Sequence, residues 1–248
     1  MGGRNLLSRV SLIALLLGGN CLPAAAFAQD FVVPDATYPS LPKRAASAEG
    51  LVPAGWVLEA QVSGDLNGDG IPDLAFVVRQ TDPRNVIDRP GMGESPFDTN
   101  PRILAVAFRS GAAGEYVLQL ENHALIPRHE NPSQDDPFEN GIAIERGGLR
   151  VTLRLFMNAG GWNMFTATHT FRHRNGRFEL IGYDRSSVHR ASGETDDISV
   201  NYLVGRMRIA SGHISSDKPT KVRQATLKRR APLTIDAVGD GLDFDPER

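Results

Sequence analysis

Cysteine is nearly absent from this chain: Cys21 is the only one in 248 residues. A disulfide framework is therefore excluded as the source of stability. No apolar run approaches the roughly 20 residues a membrane-spanning helix needs. An excess of basic charge is missing too. Lys and Arg number 27 against 29 Asp and Glu, a net charge of −2, which argues against nucleic acid as a main partner. No internal repeat recurs at a period of 20–50 residues, so the sequence does not announce a solenoid or a propeller. Also lacking are a G-x-S-x-G elbow, an H-E-x-x-H pair and a Gly-rich loop followed by the Lys-Ser/Thr of a phosphate cradle.

What is present begins with an export signal over residues 1–28. Arg4 and Arg9 give a positive start, Val10 to Leu17 an apolar core, and Ala26-Phe27-Ala28 an A-x-A cleavage site. Cleavage after Ala28 is expected, with a periplasmic or secreted product. Lipidation at Cys21 fits less well, because Asn20 stands where a small residue should precede the cysteine. Removal of 1–28 takes away the cysteine and two arginines, leaving 25 basic residues against 29 acidic ones. The remaining length suffices for one all-β domain with a full core.

Residues 29–55 are rich in Pro, Ala and Ser and read as an extended N-terminal arm, with a short helix over Arg44 to Leu51 ended by Gly50 and Pro53. A single antiparallel β-sheet or sandwich-like domain is expected over 56–215. Its strands are separated by Gly, Pro, Asn and Asp clusters. Expected strands are Val57 to Val62, Leu74 to Val78, Ile103 to Phe108, Tyr116 to Leu120, Met164 to Arg172, Phe178 to Tyr183 and Ile198 to Val204. Leu149, Val151, Leu153 and Leu155 alternate with Arg150, Thr152 and Arg154, the pattern of a half-buried strand. Asn175-Gly176 is a strong hairpin turn. Residues 80–101 read as a long exposed excursion. Residues 216–248, basic and then acidic, read as a peripheral charged tail.

One segment carries chemistry. Gly64-Asp65-Leu66-Asn67-Gly68-Asp69-Gly70-Ile71-Pro72-Asp73 sets Asp, Asn, Asp and Asp at positions 1, 3, 5 and 9, with Gly at position 6. Alternate residues of a tight loop can converge on one centre, and calcium takes six to eight oxygens from such a ring. The side chains of Asp65, Asn67, Asp69 and Asp73 and the carbonyl of Ile71 are the expected ligands. Position 12 is Phe76 rather than the Glu of an EF-hand, and Pro72 with the apolar run after it points to an exit strand. Magnesium suits the loop less well, because it requires stricter geometry. A plain turn rich in Asp, Asn and Gly is the competing reading, but it leaves three carboxylates within nine residues uncompensated.

The segment resembles the D-x-[DN]-x-D-G-x-x-D loops of FG-GAP/VCBS-type, integrin-like calcium repeats, which join two β-strands. The resemblance covers about 15 residues and implies calcium at the five positions just named. With a single copy it implies neither a full propeller nor the ligand surface of one. The wider context, Pro53-Ala54-Gly55-Trp56 before the loop and Asn100 to Leu104 after it, is similar to secreted bacterial proteins that carry one such loop, a likeness that implies no activity.

Other candidates are weaker. His169 and His173 lie four apart on one expected strand and so face the same side, but no third zinc ligand lies nearby in sequence. Ser186, Ser187 and His189 sit in what reads as a polar loop rather than a triad. Trp162, in the Gly-rich segment Asn158 to Met164, would stack on a sugar or anchor a protein if exposed, or pack into the core if not. The sequence thus points to an exported calcium-binding β protein, a non-enzymatic binding or envelope-associated module, with an envelope protein or glycan as partner. A hydrolase of cell-wall or carbohydrate material is the alternative. It would gather Trp162, His169 and His173 around one cleft with a carboxylate; a binding module would leave them dispersed or buried.

Overall fold

Two antiparallel sheets account for most of the structure, a computed structural model that describes residues 32–88, 94–139, 141–228 and 231–247. The expected export signal, its cleavage site and Cys21 lie outside the described residues. The first sheet has five strands: β1 (Arg44–Ala45), β2 (Trp56–Gly64), β3 (Asp73–Gln80), β6 (Arg102–Arg109) and β7 (Tyr116–Asn122), in the order β1-β7-β6-β3-β2. Between β3 and β6, the expected excursion contains a small pair, β4 (Val86–Ile87) and β5 (Phe97–Asp98). The second sheet is a meander in which each strand pairs with the next in sequence. It runs through β8 (Ile142–Glu145), β9 (Gly148–Leu155), β10 (Asn163–Arg174), β11 (Arg177–His189), β12 (Glu194–Asn201), β13 (Arg206–His213) and β14 (Lys221–Thr226). The architecture is mainly β and antiparallel, as expected from the sequence, and it is not a full propeller.

The strands that flank the acidic segment lie at the centre of the burial. In β3 and β6 every residue from Asp73 to Val78 and from Arg102 to Ala107 is buried, because both faces of the five-stranded sheet are covered. One face (Ala75, Val77, Leu104, Val106) meets the inward row of the second sheet, Leu149, Val151, Leu153, Ala167 and Phe171. The other face (Leu74, Phe76, Val78, Ile103, Ala105) is covered by Leu41, Ala48, Leu51 and Trp56. The N-terminal arm is thus the lid of a second core. The helix expected within it does not form. Arg44–Ala45 pairs instead with the edge of β7, and only a 3₁₀ turn, Glu49–Leu51, remains. Eight residues, ended by Gly50 and Pro53, are too few to sustain a helix against that pairing.

At one end of the first sheet a charged cluster replaces apolar packing. Arg102, 5% exposed, donates to Glu59 at 2.6 and 2.8 Å and to Asp136 at 2.6 and 3.0 Å. Glu59 is the extra residue of a bulge in β2, which swings its carboxylate toward β6. Asp136 precedes β8, so the triad also ties the connection between the sheets. Losing Arg102 would leave the Glu59 and Asp136 carboxylates without their shared cation, which makes the cluster a determinant of geometry more than of net stability.

The C-terminal residues are not a peripheral tail. The strand β14 forms the edge of the seven-stranded sheet. Beyond it, Ile235, Val238 and Phe244 are buried in the main core, and Leu233 and Leu242 pack against it. The short helix α1 (Ile235–Val238) is held by a bridge between Glu179 and Thr234, and Asn122 donates to Asp236 at 3.0 Å. Acids separate these apolar residues in sequence, which hid their shared face. Phe244 sits edge-on to Tyr183 and His169, with ring centroids 5.2 and 5.4 Å apart. Phe244→Ala is therefore expected to lower the unfolding free energy by roughly 3–5 kcal/mol, the cost of truncating a buried aromatic. Urea denaturation checks this; a change within about 0.5 kcal/mol, usual for a solvated position, would return the segment to the surface.

Candidate functional site: the acidic loop between β2 and β3

The loop is wound by its own carboxyl and amide groups. Asp65 accepts from the backbone amide of Gly68 at 2.6 Å through Oδ1 and from that of Gly70 at 3.0 Å through Oδ2. Asn67 Oδ1 accepts from the Asp69 amide at 2.8 Å, and Asp69 Oδ1 from the Ile71 amide at 2.7 Å. The Asn67 amide group donates to Asp69 Oδ2 at 3.0 Å. Gly68 and Gly70 have φ of +85° and +80°, a region in which a side chain would be strained. The loop therefore turns where the spacing says it should. Leu66, 3% exposed, anchors it in the main core.

Asp73 is set apart from the other three. Its side chain is fully buried, and both oxygens are taken by backbone amides: Leu66 at 2.9 Å and Asn67 at 3.2 Å on Oδ2, Arg109 at 3.1 Å on Oδ1. Burial raises its pKa, while the three amide bonds pull it back and the charge of Asp69 adds to the rise. Asp73 therefore closes the loop from within and ties it to the end of β6.

The fit to calcium can be judged residue by residue. Asp65, Asn67 and Asp69 carry oxygens on the half-buried to exposed side of the loop, and oxygen donors of this type suit a hard cation. The Ile71 carbonyl belongs to the same turn. Asp73 differs from these three side chains in burial: it has no solvent exposure, and its oxygens accept amides that tie the loop to the end of β6. Among the described residues no three His, Cys, Asp or Glu side chains are grouped to hold a metal. A calcium ion here would rest on two carboxylates, one amide oxygen, one carbonyl and water.

The other candidates do not converge. The alternation of β10 does put His169, Phe171 and His173 on one side, and that side is the core. His169 is fully buried; its ring nitrogens have no hydrogen-bond partner, and it packs against Tyr183 and Phe244. His173 lies edge-on to Phe108, 4.9 Å between centroids. Trp162 is 63% exposed, in the turn between β9 and β10. That turn is fixed by Arg190, whose guanidinium donates to the carbonyls of Met157 and, at 2.6 Å, Gly161, and whose amide donates to the Trp162 carbonyl. Ser186, Ser187 and His189 belong to β11 rather than to a loop. His189 bonds to Ser192 at 2.8 Å on the surface. In the sequence Arg190 reads as one more charge; its stacking over Phe156 at 4.6 Å leaves no local signal.

No protein-family model matches the chain, and neither a curated protein nor a solved structure proves similar to it.

The buried histidine has a consequence for pH. Burial lowers the pKa of His169 to about 4 from an ordinary 6.5. The unfolded chain therefore takes up this proton at a higher pH than the folded one. The native state loses stability as pH falls from about 6.5 to about 4, by up to about 3 kcal/mol from this group. In denaturant unfolding, the difference between wild type and His169→Leu should be flat above pH 7 and swing against wild type below it. A difference flat down to pH 4 would mean that the ring is not held neutral.

Proposed function

We propose that the chain is an exported calcium-binding β protein that serves as a binding module of the envelope or the secreted space rather than as a catalyst. The observation that carries the calcium part is the winding of the acidic loop. Asp65 caps the amides of Gly68 and Gly70 while Asp69 and Asn67 brace each other, so three side-chain oxygen donors are gathered within five residues between two core strands. An ion there would neutralise the loop carboxylates and convert its binding energy into folding energy. With Asp73 withdrawn, the ligand charge falls to two carboxylates. That favours weak binding, on the order of 10⁻⁴–10⁻³ M, the regime of extracellular calcium modules.

The binding part is supported by the dispersal of the residues a hydrolase would have used. His169 lies inside the core, His173 packs on Phe108 and Trp162 stands alone on a pinned turn. An exposed tryptophan on a braced turn suits contact with an envelope protein or a glycan better than it suits catalysis.

Thermal unfolding of the chain from Gln29 onward, in excess calcium and in chelator, tests the ion. Calcium at 100 times its dissociation constant should add about 2.7 kcal/mol and raise the midpoint, and Asp69→Ala should remove most of that gain. Equal midpoints in calcium and chelator would refute the reading.

A further inference from the structure

The C-terminal segment closes the main core on one side and leaves a space on the other. Across the second sheet, one inward row runs His169, Tyr183, Val200, Met207 and Ala225, and Phe244 seals it. The next inward row is Ala167, Arg185, Ile198, Ile209 and Arg223. There the sheet and the segment 242–247 stand apart around a cavity of about 390 Å³. Its sheet wall is Arg185, Ile198, Met207 and Ile209; the facing wall carries Leu242, Asp243, Phe244 and Asp245. The cavity stands apart from the acidic loop, which joins β2 to β3.

Arg185, beside the Tyr183 hydroxyl with which it interacts, brings a cation into this row. It occupies an inward position between Ala167 and Ile198, where an aliphatic side chain would complete the row. Its guanidinium lies 5.6 Å from the Phe165 ring centroid, and its Nε is buried without a hydrogen-bond partner. Among the described residues no carboxylate comes within 4 Å of it, nor does any cation pair with Asp243 or Asp245. Glu247, at the rim, is already paired with Arg223 at 3.7 Å. Arg185 is half-buried, and a shielded donor such as its Nε is costly to leave unpaired. Its planar fork is shaped for a carboxylate. A plain anion would meet the facing acids, and a plain cation would meet Arg185.

We propose that this cavity binds a short zwitterionic peptide with aliphatic side chains. The terminal carboxylate lies on Arg185, the terminal ammonium faces Asp243 and Asp245, and the side chains rest on Ile198, Met207, Ile209 and Leu242. The volume falls near the lower end of small-molecule sites, which run from about 300 to 1,000 Å³, a size suited to a dipeptide.

Titration calorimetry with leucyl-leucine, N-acetyl-leucyl-leucine and leucyl-leucinamide decides the matter on the unaltered protein. The free dipeptide should bind, and capping either end should weaken binding roughly ten- to a hundredfold, as expected for losing a charged hydrogen bond. Arg185→Met should abolish the preference for the free carboxylate, and Asp245→Asn should reduce the preference for the free ammonium. Absence of heat with all three peptides, or equal affinity for capped and free forms, would overturn the proposal. Either result stands even if Arg185→Met fails to fold.

Discussion

The buried carboxylate of Asp73 is the contact on which the acidic loop depends. One side chain accepts amides from Leu66 and Asn67, at the start of the loop, and from Arg109, at the end of β6. It thereby fixes the loop to two core strands at once. An aspartate with no exposure is tolerated only because every direction of its charge is met by a donor. With the base of the loop fixed, Asp65, Asn67 and Asp69 need only local hydrogen bonds to hold their oxygens together.

This division of labour changes what the calcium motif means here. The spacing alone treats Asp65, Asn67, Asp69 and Asp73 as equals. In the folded protein three of them face outward along the turn and the fourth faces inward. An ion would add to a loop that is already wound, so the loop need not wait for metal to take shape. The gain from a bound calcium ion would then be the relief of repulsion between Asp65 and Asp69, a weaker effect than nucleating the fold.

Local features were legible in the sequence, and long-range ones were not. The hairpin of β10 and β11 follows from Asn175-Gly176, whose φ values of +54° and +74° are those of a tight turn. The alternation of β9 likewise declared its buried face. The expected strand Ile198 to Val204, by contrast, stops at Asn201, whose side chain accepts the amides of Leu203 and Val204 and forces a turn. The apolar run Tyr202 to Val204 masked that cap and, with it, the start of β13. The edge strand β14 is exposed along nearly its whole length and owes its form to pairing with β13. The inward turn of Asp73 depends on an amide 36 residues away, which no local pattern records. The same holds for His169: spacing gave its side of the strand, and only the packing of Phe244 made that side a sealed one.

In the proposed calcium site Asp73 holds the loop while Asp65, Asn67, Asp69 and the Ile71 carbonyl would face the ion. A crystal structure of the protein grown in excess calcium, with the ion located by its anomalous scattering, tests it most directly. The expected result is an ion on those four groups, with Asp73 still accepting the amides of Leu66, Asn67 and Arg109. A calcium ion coordinated by the Asp73 carboxylate, or none in the loop, would contradict it.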